Sequence, residues 1–179
     1  GYTTGAPVTT IFHNTNTRSR DYSELKYIPR PGHADFTALK KYGSYSDYRG
    51  GGHFSGRLTV GIVAAGVIAK KMIHPALVNS KILEIGGDTN IERAVSNAMN
   101  DHDSVGGLIE CKVTGLPAGL GEPFFDSMEA RLAHAIFSVP AIKGLEFGSG
   151  FKAASMKGSQ HNDSFVSTDG KTRTNNAAG

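Results

Sequence analysis

Two short segments hold the residue types best suited to chemistry. The first is Tyr48-Arg49-Gly50-Gly51-Gly52-His53-Phe54-Ser55-Gly56-Arg57. Three consecutive glycines let a backbone turn sharply and approach a ligand closely. If a helix follows at once, its unpaired N–H groups and dipole favour an anion, with Ser55 as cap or oxyanion donor and Arg57 as charge. The Gly-Lys-Ser/Thr of a P-loop is missing, and no convincing strand precedes the glycines as a dinucleotide fingerprint would need. The same residues also suit a plain tight turn with a serine cap. The second segment is Arg30-Pro31-Gly32-His33-Ala34-Asp35. Pro31, with Pro29 just before the segment, stiffens a non-helical loop. His33 there could act as a proton donor near neutral pH, and Arg30 could grip a carboxylate or phosphate. The plainer alternative has Asp35 ordering a turn and His33 at the surface.

The other titratable groups are dispersed. His13, His74, His102, His134 and His161 lie in unlike surroundings, and no His/Asp/Glu spacing resembles a metal site. Asp101-His102-Asp103-Ser104 has triad residue types, but triads converge in space rather than in sequence, so it reads as a polar helix end. Cys111 is the single cysteine, which rules out a disulfide framework and a zinc site built on several thiolates. Its place in an alternating run makes it a small core residue, and a cytoplasmic setting is expected.

Periodicity supplies the elements that must position these groups. Residues 8–14 are β-rich and read as a strand. Residues 58–73 read as a helix whose small residues, Gly61 and Gly66 among them, suggest close packing on another element; Lys70 and Lys71 complement its dipole. Thr89-x-x-Glu92 is a capping box opening a helix to about residue 100. Residues 108–114 alternate as a half-buried strand, and residues 126–137 form a helix with Met128, Leu132 and Ile136 inward. Two short strands, 142–147 and 151–156, are joined by Gly148-Ser149-Gly150, and the chain from Lys157 is loop-like. Half-polar strands alternating with helices predict an α+β fold rather than a doubly wound parallel sheet.

The formal net charge of +3 hides an asymmetry. Residues 1–87 hold 11 Lys/Arg against 5 Asp/Glu, and residues 88–179 hold 8 against 11. The positive half suits an anionic ligand. Lys40-Lys41 and Lys70-Lys71 are its only adjacent basic pairs, so the dense basic run of a nucleic-acid surface is absent. The longest apolar run, near residues 60–69, is too short for a membrane span. Neither a nucleic-acid partner nor a membrane is expected.

Several segments together resemble chorismate synthase: Gly1-Tyr-Thr-Thr-Gly-Ala-Pro7, Thr17-Arg-Ser-Arg-Asp-Tyr22, Arg30-Pro-Gly-His-Ala-Asp35, the stretch from Asp47 to Arg57, Ala64-Ala-Gly-Val-Ile-Ala-Lys-Lys71, Asp103-Ser-Val-Gly-Gly107, Gly115-Leu-Pro-Ala-Gly-Leu-Gly121 and Lys143-Gly-Leu-Glu-Phe-Gly-Ser-Gly-Phe151. They follow the family's order over nearly the whole chain. The resemblance implies a lyase that eliminates phosphate from 5-enolpyruvylshikimate 3-phosphate, using reduced FMN without net redox change. It implies a homotetramer and a β-α-β sandwich, with helices packed between antiparallel sheets. By motif, His33 corresponds to a catalytic histidine, Arg30 and Arg57 to substrate-binding positions, and His53, Phe54 and Ser55 to an FMN-contacting triplet that is Arg-Ser-Ser in many members. Pro140 and Ala141 match a second flavin-contacting pair, usually Asn-Ala. The source of reduced flavin, an outside reductase or NADP, stays open. The family's Gly-Glu-Ser-His-Gly, Lys-Pro-Thr and C-terminal Arg/Asp segments are absent, so residues 1–179 are expected to be one partial domain, inactive alone. The alternatives are a non-catalytic basic module for nucleotides or RNA, and an inactive scaffold paralogue.

Overall fold

A computed structural model describes residues 2–24, 26–165 and 178. Its contacts divide the chain into two units, Gly1–Ala118 and Gly119–Gly179. In the first unit a 3-10 turn, Ser19–Tyr22, precedes helix α1, Asp35–Tyr42. A 3-10 segment, Arg49–Phe54, and a turn, Gly56–Leu58, lead into α2, Thr59–Met72; strand β1, Leu77–Ile85, helix α3, Ile91–Asn100, and strand β2, Gly107–Thr114, follow. The second unit holds a turn at Phe124–Asp126, α4 at Met128–Phe137, a 3-10 segment at Gly150–Ser155 and α5 at Gly158–His161. Helices plus an antiparallel sheet make the fold α+β, as the alternation predicted.

Helix α1 was not legible from periodicity. Asp35 places negative charge in its first turn, and Lys40 and Lys41 place positive charge in its last, both matching the dipole. Gly43, at φ 58°, stops it. Helix α2 matches its expected span within a residue. The capping-box helix is α3, but Asn90 caps it: its Oδ1 accepts from the Arg93 N–H at 3.0 Å. Ser127 caps α4 in the same way, accepting from the Ala130 N–H at 3.2 Å.

β1 escaped the sequence reading because its alternation breaks. It pairs antiparallel with β2, Leu77 opposite Thr114 and Ile82 opposite Ile109, and the register shifts between Ile82 and Glu84. That bulge moves later side chains to the other face and hides the period. Lys81 meets Glu110 across the ladder at 2.9 Å, worth under about 1 kcal/mol at such exposure. After β1, Gly86 and Gly87, at φ 58° and 78°, let Ile85 and Asp88 exchange both backbone hydrogen bonds, the geometry of a two-residue hairpin turn.

Several expectations are corrected. Residues 8–14 form no strand: among the described residues no ladder partner faces them, and extended backbone without a partner is only extended backbone. Residues 142–147 are irregular and 151–156 lie mainly in the 3-10 segment, because Gly148 and Gly150 adopt φ 57° and 53° and turn the chain. The expected packed core is slight: among the described residues the buried apolar side chains are Ala38 and Ala76. β2 is exposed on both faces, so Cys111 is exposed rather than a core residue. Apart from the chain neighbours and the helix's own backbone, no atom lies within 4 Å of a Cβ built on Gly61 or Gly66, and Ile62, Val63 and Val67 are exposed, so α2 is not buried within the described chain. Leu132 is exposed too, with Met128 and Ile136 half-buried. Past Lys157 the chain forms the single turn of α5, and residues 166–177 of the expected loop lie outside the described residues. No described helix is long and apolar enough to cross a membrane.

Candidate functional site

The loop before α1 is closed by a clamp. Asp35 accepts from Arg30 Nε at 2.8 Å, from Arg30 Nη2 at 3.0 Å and from the Arg30 backbone N–H at 3.0 Å. The two N–H groups of the guanidinium meet both carboxylate oxygens, the bidentate geometry that makes such pairs strong. This is the least exposed ion pair among the described residues, at 26% and 14% of side-chain surface. The Arg30 hydrogen bonds pull the Asp35 carboxyl down to about 2, and the Asp35 partner holds Arg30 more firmly protonated. Gly32, at φ 71°, turns the loop between them. His33 is exposed, and its Nδ1 lies 3.0 Å from the Pro31 carbonyl oxygen. A carbonyl can only accept, so Nδ1 carries the hydrogen and Nε2 is left for acid–base work.

The three glycines do not sit on a helix N-terminus. Gly50, Gly51 and Gly52 adopt φ 63°, 83° and 50°, a conformation L side chains rarely take, and α2 starts only at Thr59. They form a socket for arginines instead. Arg57 Nη2 donates to the Gly50 carbonyl at 2.7 Å, and Arg57 Nε to Ser55 Oγ at 3.1 Å. A Cβ at Gly50 would fall on Arg57 Nη2, and one at Gly52 would lie 2.8 Å from the Asp47 carbonyl oxygen. Ser55 does cap, as expected, but it caps the turn Gly56–Leu58, accepting from the Arg57 backbone N–H at 3.3 Å. Arg57 makes no ion pair with any described carboxylate.

The two loops meet around one cavity of about 370 Å³, whose lining includes Arg30, His33, Asp35, Phe54, Ser55 and Arg57. That size lies within the range of small-molecule pockets. Phe54 forms its aromatic wall, backed by Tyr42 with ring centroids 6.3 Å apart. Tyr22 lines this cavity and also a neighbouring one of about 320 Å³, to which Arg18 and Arg49 contribute. Arg49 is tied to Asp47 at 2.9 Å and holds that carboxyl below its usual range, with a smaller effect from His53.

Of the residues singled out in the sequence, the fold gathers Arg30, His33, Phe54, Ser55 and Arg57. His53 is exposed and does not line the cavity. Pro140 and Ala141 belong to the second unit, where Ala141 holds φ 70°, strained for a residue with a Cβ. Tyr22 was missed as a site residue; it ends a conspicuous Arg-Ser-Arg-Asp-Tyr run, but nothing in that spacing places it beside Arg30.

Comparison with known proteins bears on the same residues. A family model described as chorismate synthase matches residues 1–179. The chorismate synthase of Chitinophaga pinensis is 59% identical over 179 residues, covering 99% of this chain and 54% of that protein. That of Korarchaeum cryptofilum is 42% identical over 202 residues, covering 97% and 56%. A solved structure described as the crystal structure of chorismate synthase matches with a TM-score of 0.71 at 25% identity, covering 80% of this chain and 56% of that one. The chain spans about half the length of the curated relatives it matches. With a match over its whole length and the family's fold in the solved relative, the chain belongs to the chorismate synthase family.

Proposed function

We propose that this chain carries part of the active site of a chorismate synthase, a carbon–oxygen lyase that eliminates phosphate from 5-enolpyruvylshikimate 3-phosphate to give chorismate. The observation that supports this best is the single cavity shared by the Arg30–Asp35 loop and the glycine socket of Arg57. The elimination breaks a ring C–O bond, whose electrons leave with phosphate, and a ring C–H bond, whose proton must be taken up. Arg57, with no carboxylate partner among the described residues, supplies the charge that a phosphate or carboxylate needs, and Ser55 adds a hydroxyl donor. Arg30 keeps the unused edge of its guanidinium for the same anion. His33 is the catalytic residue of this reading, holding or moving a proton at Nε2.

The residues present also fit a phosphorylated, aromatic cofactor: Phe54 offers a ring face and Arg57 a cation in one cavity. Reduced FMN held there would supply transient electron donation with no net oxidation. Ser55 and Phe54 would contact it from this cavity; His53, Pro140 and Ala141 are further contacts by family position. In this reading residues 1–179 are part of one domain of a cytoplasmic homotetramer, and its reduced flavin comes from an outside reductase or from NADPH.

The test is an anaerobic assay of the intact gene product with reduced FMN and 5-enolpyruvylshikimate 3-phosphate, following chorismate, together with complementation of an aromatic-amino-acid auxotroph. Turnover and growth support the reading. Salt-sensitive RNA binding without flavin affinity would replace it with the basic module, and assembly without turnover would replace it with the scaffold.

A further inference from the structure

We propose that Asp35 is a positioning residue for the reaction, holding Arg30 so that one edge of its guanidinium is fixed and the other is presented to the anion bound beside His33. The inference rests on the reading of the cavity as the substrate site. A free arginine side chain carries about 2 kcal/mol of rotamer entropy that must be lost when it grips an anion. Here two side-chain bonds, at 2.8 and 3.0 Å, already immobilise it. The third bond, from the Arg30 backbone N–H to the same carboxylate, ties the anchor to the main chain, so position and orientation are set together. The guanidinium has five N–H groups in a rigid fork. Nε and one N–H of Nη2 face Asp35, and the rest of the fork is left to a ligand. The glycine segment runs beside this guanidinium: a Cβ built on Gly51 would lie 3.9 Å from Arg30 Nη2, ordinary contact distance.

The clamp also fixes His33. The Arg30 carbonyl accepts from the His33 backbone N–H at 3.4 Å, and Pro31 accepts from the ring. The carboxylate that closes the loop lies two residues from the imidazole, and both line the cavity. The Arg30 hydrogen bonds hold the Asp35 carboxyl down against the opposing pull of its partial burial, in agreement with a charge present throughout the working pH range.

Steady-state kinetics of the intact protein with reduced FMN separate positioning from mere stabilisation. Asp35→Asn is expected to raise KM for 5-enolpyruvylshikimate 3-phosphate by about tenfold or more, with a smaller fall in kcat. Arg30→Lys, which keeps the charge but not the fork, should reproduce that KM change. In an Arg30→Ala background, adding Asp35→Asn should change KM less than twofold, because Asp35 acts through Arg30. Asp35→Glu, which keeps the carboxylate, should recover part of the lost affinity, and it carries the test if Asp35→Asn does not fold. Wild-type KM in Asp35→Asn, or an undiminished effect of Asp35→Asn without Arg30, overturns the positioning role while leaving the cavity reading intact. Wild-type kinetics in both Arg30→Ala and His33→Ala would instead remove the cavity reading, and this inference with it.

Discussion

Replacing Asp35 by Asn gives a direct measure of what the Arg30 clamp contributes to stability. The Arg30 hydrogen bonds hold the Asp35 carboxyl at about 2, against an ordinary value of 3.8. A group whose folded value is depressed adds stability above its unfolded value and loses it as pH falls through the folded one. The contribution is therefore complete above about pH 5 and fades between about pH 4 and pH 2. Its size at neutral pH is at most about 2 kcal/mol, since the pair keeps 26% and 14% of its side-chain surface in water and salt screens part of the attraction. Asn keeps the shape but removes the charge and turns an amide N–H₂ toward a guanidinium that can only donate. Urea unfolding followed by circular dichroism is the assay. At pH 7 the midpoint should fall by about 0.5–1 M for a slope near 2 kcal/mol/M. Near pH 1.5 protonated Asp35 and Asn are close to equivalent, so the two curves should converge. Equal midpoints at pH 7, or a gap as large at pH 1.5 as at pH 7, would refute the reasoning.

Three further outcomes are expected. His33→Ala in the intact protein should lower kcat by about 10²–10⁴-fold, with an unchanged far-ultraviolet spectrum; normal turnover removes the assigned role. Arg57→Ala should weaken binding of reduced FMN or substrate by about tenfold or more, and Ser55→Ala by a smaller factor, read by flavin fluorescence and calorimetry; unchanged affinities in both would reduce the glycine segment to a turn. Gly52→Ala should lower stability by about 1–3 kcal/mol, because φ 50° disfavours a Cβ that would also meet the Asp47 carbonyl oxygen at 2.8 Å; a thermal melt matching the wild type contradicts that local geometry.

Two kinds of information separate at the site. Local features were readable from residue types and spacing: the proline-stiffened Arg30–Asp35 loop, the span of α2, the helix that became α3 and the alternation of β2. Each depends on neighbours within about a turn of helix or one strand, and side-chain period and capping chemistry act over that range. The family motifs, read in order along the chain, carried the assignment that the whole-chain match then showed. Partners far apart in sequence decided the rest. β1 became a strand only by pairing with β2 across a bulge, whereas residues 8–14, with equally strand-like side chains, have no described partner. The glycine segment had the composition of an anion cradle, but its carbonyl at Gly50 holds Arg57 and its turn stops short of α2. That Tyr22, Arg30, His33, Phe54 and Arg57 surround one cavity is a fact of three dimensions. Charge and hydrogen bonding act through space over a few ångströms, and only the folded path of the chain sets which residues come within that reach.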